Sequence, residues 1–452
     1  MRKYILVVLG TFLLYFFAGF LVNSLGINGL QIQSEDTLPT MFLPVTIIKE
    51  GTLYLDNYYD MLIQRYPHPD DIGLTPFYLK RAGNHYVSAF PILTSLLSLP
   101  VYFVGLGILK MAVTWESVIL LSKISAGLIM AISSGVLFYV LLNTFRVDTK
   151  KSVILTIVYS FGTVNFAMLS QSLWQHGTVQ LFLILGTNFL SHFLRTAKYR
   201  NIFLSTLFFG MAVLARPTAL LVLGLVGIFL LISHIKEKAK LVYTFMWMLL
   251  GIIPVLLFFV WYNQTYYLSI SNQGYSSQVF TQWLSPFPEG FLGTWISPSK
   301  GILIYSPILI FSLLGLWLAR KDDNKRVYIL FGLIILFHTL IMGFWKHWYG
   351  GYSFGYRMSS DILPFFVFAM VPYVNSSPFF KYYRLFIFLL CVSIMVQLSG
   401  LVFFDSIWHA AYDKGFRDTR WLWSLSDSEF MFNLRRILVK FAFLDKACPK
   451  CL

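Results

Sequence analysis

The fold this sequence predicts is an all-α integral membrane protein, a polytopic bundle of about 11 transmembrane helices with a long first outer loop carrying interfacial helices. Three observations point to it. Hydrophobic residues make up 57% of the 452 and charged residues only 12%, against about 25% charged in soluble domains. Apolar runs of about 15–28 residues recur along the chain, and about 20 residues of helix cross a bilayer core. Short clusters of Lys and Arg punctuate those runs: Arg2/Lys3, Arg146/Lys150/Lys151, Arg195/Lys198/Arg200, Lys236/Lys238/Lys240, Arg320/Lys321/Lys325/Arg326 and Lys381/Arg384. They account for nearly all of the net charge of +15. Basic residues in short loops mark the cytoplasmic side, so the basicity is a topology signal and nucleic-acid binding is rejected.

The elements follow in order from that rule. Residues 4–25 carry no charge and no small-x-small cleavage site, so they form a span with the N-terminus cytoplasmic rather than a signal peptide. Further helices fall near 116–143, 152–169, 178–194, 201–214, 217–233, 241–261, 301–319, 327–345, 361–374 and 385–404. Every basic cluster then lies inside. Loops 26–115, 170–177, 262–300 and 346–360 emerge on the opposite face, as does the tail from 405. Residues 89–109 are apolar but broken at Pro91 and Pro100, and parity makes them a re-entrant or interfacial helix. Residues 201–233 must leave and return to one side, which makes a short hairpin with Arg216-Pro217 at its tip. The domain organisation is one transmembrane domain over 1–404, including loop 26–115, and a short non-cytoplasmic tail over 405–452.

Sorting residues by face is more informative than any motif. About ten residues beyond the first span stand two adjacent carboxylates, Glu35 and Asp36, costly at a lipid boundary unless water, a cation or a substrate satisfies them. The same outer loop holds Asp56, Asp60, His68, Asp70, Asp71, Arg81 and His85. The next outer loops read Ser170-Gln-Ser-Leu-Trp-Gln-His176-Gly, then Ser297-Pro-Ser-Lys300-Gly, then Lys346-His-Trp-Tyr-Gly-Gly-Tyr-Ser-Phe-Gly-Tyr-Arg357. Inner loops are short and carry only charge. One active face suits an enzyme working on one leaflet; an alternating-access transporter places polar residues near the midplane and on both sides.

A first span, an outer acidic pair, many helices and short basic inner turns, with the Ala215-Arg216-Pro217-Thr218 hairpin and the Gly-rich aromatic outer loop, resemble the GT-C membrane glycosyltransferases. The likeness is closest to the bacterial protein-mannosyltransferase-like and aminoarabinose-transferase-like branch. It implies a GT-C-like bundle in a bacterial cytoplasmic membrane, taking a sugar from a polyprenyl-phosphate donor to an acceptor hydroxyl on glycan, lipid or protein, outside, with inversion. The family's more usual order is Asp first, whereas Glu35 precedes Asp36 here.

Such transfer needs a carboxylate to take the acceptor proton and carboxylates near an oxocarbenium-like centre. Asp36 is the expected base, with Glu35 orienting the acceptor or binding a cation; the alternative is that both cap the following segment. Arg216, Lys300 and Arg357 are the candidates for the leaving phosphate, with Lys346 behind them. Arg216 leads, because a charge at a hairpin tip within the membrane is expensive without an anion. His176 either contacts substrate, joins Glu35 and Asp36 around a divalent cation, or is structural. Trp348 and Tyr356, in an aromatic run with Tyr349, Tyr352 and Phe354, either stack on sugar or line lipid.

The remaining signals are weaker. Cys391 is expected to pack within a helix, and Cys448 and Cys451 form one outward Cys-Pro-Lys-Cys, which by itself is weak evidence for zinc. Asn263-Gln-Thr265 is an outward glycosylation sequon by pattern. No Walker loop or dinucleotide fingerprint is present, which favours a lipid-linked donor. Two other functions stay open: an oligosaccharide polymerase or ligase, and a glycolipid flippase or transporter.

Overall fold

The computed structural model describes residues 2–24, 32–66, 75–271, 274, 281–322, 324–440 and 443. His68, Asp70, Asp71, Cys448 and Cys451 lie outside the described residues. Among those described, seven helices are long and apolar enough to cross a bilayer: Arg2–Ser24, Trp115–Thr144, Gln175–Thr196, Pro217–His234, Lys238–Tyr266, Lys325–Phe344 and Tyr383–Phe403. The architecture is that of a multi-pass, predominantly helical membrane protein.

Of the other four expected spans, one is a continuous helix below the length of the seven and three are interrupted. Tyr199–Ala215 is a continuous helix of 17 residues, about 26 Å at 1.5 Å per residue. Thr149–Phe161 stops at Gly162, followed by a wider turn over Asn165–Leu169. The 301–319 segment divides at Ser306-Pro307 into Ile302–Tyr305, Pro307–Leu309 and Ile310–Leu318. The 361–374 segment divides into Arg357–Ile362, Leu363–Ala369 and Val371–Val374. Breaks in a membrane helix free backbone groups that must be satisfied locally, and here side chains do it. Gln397 donates to the Tyr305 carbonyl at 2.9 Å, Ser393 accepts from the Ile308 amide at 3.1 Å, and Asn165 donates to the Tyr159 carbonyl at 3.0 Å.

The chain folds as two compact units. The first comprises residues 1–16, 34–146 and 169–281. Its long helices pack through small residues, as membrane helices do when only close backbone approach provides attraction: a Cβ at Gly251 would run into Thr206 and the Phe203 carbonyl. The 199–215 helix and the 217–234 segment meet at Arg216, whose backbone is extended there. Among its described residues the first loop forms the helix Leu38–Glu50 and a strand pair, Leu79–Ala82 against His85–Ser88. Asp56 braces that pair, accepting from the Tyr86 amide at 2.7 Å and meeting His85 at 2.6 Å. Pro100 does not break the 89–109 region as expected. Helix runs from Leu93 to Ile108, and the hydrogen-bond ladder relaxes instead into a wider turn over Phe103–Ile108.

The second unit comprises residues 17–33, 147–168 and 282–452. Residues 405–440, expected to be a plain tail, fold into Ile407–Tyr412, Arg420–Trp423 and Glu429–Lys440. Together with the 346–357 loop they build a core of Trp348, Tyr349, Trp408, Trp421, Leu422 and Phe432. Cys391 is exposed on the 383–403 helix rather than packed. Asn263 is 1% exposed inside the 238–266 helix, out of reach of glycosylation.

Candidate functional site

In the first unit the acidic pair opens a helix. Ser34 is extended and its hydroxyl accepts from the Asp36 amide at 3.3 Å; Glu35–Thr37 make one tight turn, and Leu38–Glu50 follows with proline in its first turn. Carboxylates at a helix start are favoured by the exposed N–H groups there, while the capping hydrogen bond itself comes from Ser34. Both side chains are half-buried rather than solvated. The Glu35 charge is felt at Tyr66, whose phenol is raised above its ordinary value by burial first and by Glu35 second.

The Ser170–Gly177 loop belongs to the same unit. Ser172 reaches the Thr37 hydroxyl at 3.5 Å, and Gln171 donates to the Tyr15 carbonyl at 3.3 Å. His176 stands in the first turn of Gln175–Thr196, 4% exposed, and Arg216 is 8% exposed. Arg216 Nη1 lies 2.9 Å from His176 Nδ1. A guanidinium only donates, so Nδ1 accepts and the neutral ring carries its proton on Nε2.

That geometry bears on a divalent cation held by Glu35, Asp36 and His176. An imidazole that accepts from arginine at Nδ1 and is protonated at Nε2 has no lone pair to offer. Nor are three His, Cys, Asp or Glu side chains grouped for a metal among the described residues. The residues do not fit such a site, and no step is routed through a metal.

Sequence reasoning missed Lys123 in this unit. It sits within the Trp115–Thr144 span, and its ammonium donates to the Gln171 carbonyl at 3.4 Å. A lone lysine inside a long apolar run was the available signal. The unit also contains an apolar groove of about 320 Å³ lined by Ile92, Leu93, Pro217, Leu220, Phe259 and Tyr262. It runs past the residue that follows Arg216.

The second unit gathers a different set of charges. Lys300, 1% exposed, donates to the Ser353 carbonyl and to His409 Nε2 at 3.0 Å. Its ammonium lies 3.8 Å from Glu429 and 5.4 Å from the Trp408 ring. Tyr305 donates to Glu429 at 3.3 Å. Burial pulls Lys300 down to about 8, against the opposing charges of Glu429 and Asp413. Burial pushes Glu429 up to about 7, against Lys300. Burial and then Lys300 hold His409 well below the ordinary imidazole range. Arg357 adds positive potential here, disfavouring the charged forms of Lys300 and His347. Sequence reasoning found Lys300 but missed Glu429 and His409, which come from the supposed tail.

The aromatic candidates of this unit are packed. Trp348 is 2% exposed within the aromatic core, with its ring against Gly293. Tyr356 is 2% exposed, its hydroxyl 2.7 Å from that of Ser306. Within the run, the exposed ring is Tyr352 at 49%, stacked on His409 with centroids 4.9 Å apart. Lys346 lies over the Phe416 ring at 5.3 Å.

Glu35, Asp36, His176 and Arg216 thus belong to one unit, and Lys300, Trp348, Tyr356 and Arg357 to the other. No model of a known protein family matches the chain. No curated protein matches it either.

Proposed function

We propose that the protein is a membrane glycosyltransferase that moves a sugar from a polyprenyl-phosphate donor to an acceptor hydroxyl at the non-cytoplasmic face of a bacterial cytoplasmic membrane. The support lies in what the first unit contains. It has a half-buried carboxylate pair at a helix start, a buried Arg216 braced by neutral His176, and an apolar groove beginning one residue from that arginine. A base, a phosphate clamp and room for an isoprenoid chain are what the reaction needs.

In this reading Asp36 takes the proton from the acceptor hydroxyl as its oxygen bonds to the anomeric carbon. The bond from that carbon to the phosphate oxygen breaks, and the electron pair leaves with the polyprenyl phosphate. Arg216 offsets the charge of that leaving group. Glu35 orients the acceptor and, with Asp36, stabilises positive charge on the ring. A single displacement inverts the centre. Lys300 is left out of the phosphate clamp, because its ammonium is already held by Ser353, His409 and Glu429.

A second reading, a glycolipid flippase or transporter, draws on ionisable side chains within the spans. Lys123 is one such group. The other is His338, which lies 3.8 Å from Asp361 with both side chains 1% exposed. One assay separates the two readings. Purified protein in vesicles is given radiolabelled polyprenyl-phosphate sugars, and wild type is compared with Asp36→Asn and Glu35→Gln. Loss of transfer in one variant, with donor binding retained, supports the enzyme and names its base. Wild-type rates in both variants overturn the assignment, and movement of donor between leaflets without transfer favours the flippase.

A further inference from the structure

The Glu429–Lys440 helix of the second unit is inside out. Its inward stripe carries polar groups: Glu429 is 1% exposed and Asn433 3%, with Phe432 between them at 3%, and the half-buried Arg436 follows one turn on. Its outward face is apolar, with Phe430 at 41%, Met431 at 37% and Leu434 at 39%. Leu425, just before the helix, is 76% exposed. A helix facing water shows the opposite order, with apolar residues in and polar residues out.

The height of this helix is set by Arg436. Its guanidinium meets Asp405 at 2.5 Å and the Phe403 carbonyl at 3.4 Å. Phe403 is the last residue of the Tyr383–Phe403 span, whose own outward side chains Phe388 and Met395 are 62% and 67% exposed. The 429–440 helix is therefore tied to the point where a spanning helix leaves the hydrocarbon. Both helices carry exposed apolar side chains on either side of that tie.

We infer that residues 425–440 are a membrane-docking element, lying in the headgroup boundary with Phe430, Met431, Leu434 and Leu425 inserted among the lipid chains. Interfacial helices bury such a face about 5–10 Å into that boundary. The inward face then serves the protein, because Glu429 reaches Lys300 and Tyr305 from the same helix. The bilayer thereby holds in place the helix that closes the lysine centre. None of this depends on the chemistry proposed for the first unit.

The test is fluorescence quenching in vesicles. Cys391, Cys448 and Cys451 are replaced by serine, and single cysteines at Phe430, Leu434 or Leu425 carry an environment-sensitive dye, with exposed Lys414 as reference. Phospholipids bearing a spin label near the carbonyl are expected to quench the three test sites at least twofold more than Lys414. Aqueous iodide should show the reverse preference. The same sites carrying nitroxides provide a second measure, with oxygen accessibility expected to exceed that of a water-soluble nickel chelate. Water-like emission with equal lipid quenching at all four sites overturns the inference. Cysteine cross-links between two copies, with lipid quenching absent, also overturn it and assign the face to a second chain.

Discussion

The carboxylate pair of the first unit and the lysine centre of the second place charge in an apolar protein in opposite ways. Glu35 and Asp36 sit half-buried at a helix start, where the backbone favours their negative charge. Lys300 and Glu429 are each almost wholly buried and compensate one another with His409, Tyr305 and a backbone carbonyl. A group that exchanges protons with a substrate needs access to that substrate. A group committed to a buried partner is suited to holding structure. The proposed function places chemistry on the first set and leaves architecture to the second, a division that experiment can break.

The largest expected effect is on the first set. Asp36→Asn keeps the shape and removes the proposed base, and should lower sugar transfer by about 10²–10⁴-fold, the usual span for a general base. Turnover of labelled donor measures it. Lys300→Met should leave more of the rate than Asp36→Asn does. Equal loss in the two variants would erase the distinction between the sets.

The next effect tests the second set by stability. Removing one member of a buried ion pair costs about 3–5 kcal/mol, whereas replacing both with apolar residues is often neutral. Glu429→Leu should therefore unfold the 405–440 segment at lower temperature, and Lys300→Met with Glu429→Leu should recover most of that loss. Thermal scans in detergent with limited proteolysis of the segment give both numbers. Additive losses in the double variant would mean that the two side chains do not depend on each other.

How far these two sets could be read from sequence differs for a physical reason. Glu35 and Asp36 are adjacent, and Arg216-Pro217 marks its own turn, so local chemistry was enough to find them. The break at Pro307 was missed, since 301–319 reads as one apolar run, although proline cannot donate; which side chains satisfy the freed groups was not legible at all. Gln397 and Ser393 sit on another helix. The lysine centre joins residues 300, 353, 409 and 429, a distance in sequence that no local pattern spans. Residues 405–440 read as a tail because their aromatic residues are scattered. Only folding against the 346–357 loop makes them a core. Lys123 was legible and was passed over, because the run around it is so apolar.

A smaller effect probes the clamp at Arg216. Arg216→Lys keeps the charge but loses the planar fork that can serve His176 and a phosphate together. Donor affinity should fall about tenfold, the equivalent of one charge-assisted hydrogen bond at about 1.5 kcal/mol. His176→Gln, whose side-chain oxygen can still accept from Arg216, should lose less than His176→Ala. Donor binding to the Asp36→Asn background measures this without turnover. Equal loss in the two histidine variants would show that the accepting atom is not what His176 contributes.

The smallest expected effect is a pH slope. Burial, with Lys346 and Arg357 nearby, holds His347 down to about 4, and His409 is depressed in the same direction. A histidine depressed in the folded state binds its proton more readily when unfolded. The folded form therefore loses stability as pH falls from about 6.5 towards 4. Glu429 acts against this: its raised value, about 7, means that the folded state takes up a proton first as pH falls from about 7 to 4.5. The two trends partly cancel in the wild type, leaving a shallow slope. His347→Gln should remove one acid-destabilising group and make the 405–440 segment more resistant to opening at pH 5 than the wild type, with little difference at pH 8. Protease cleavage rates of the segment at the two pH values measure it. An unchanged slope would place His347 outside the balance and leave His409 to oppose Glu429 alone.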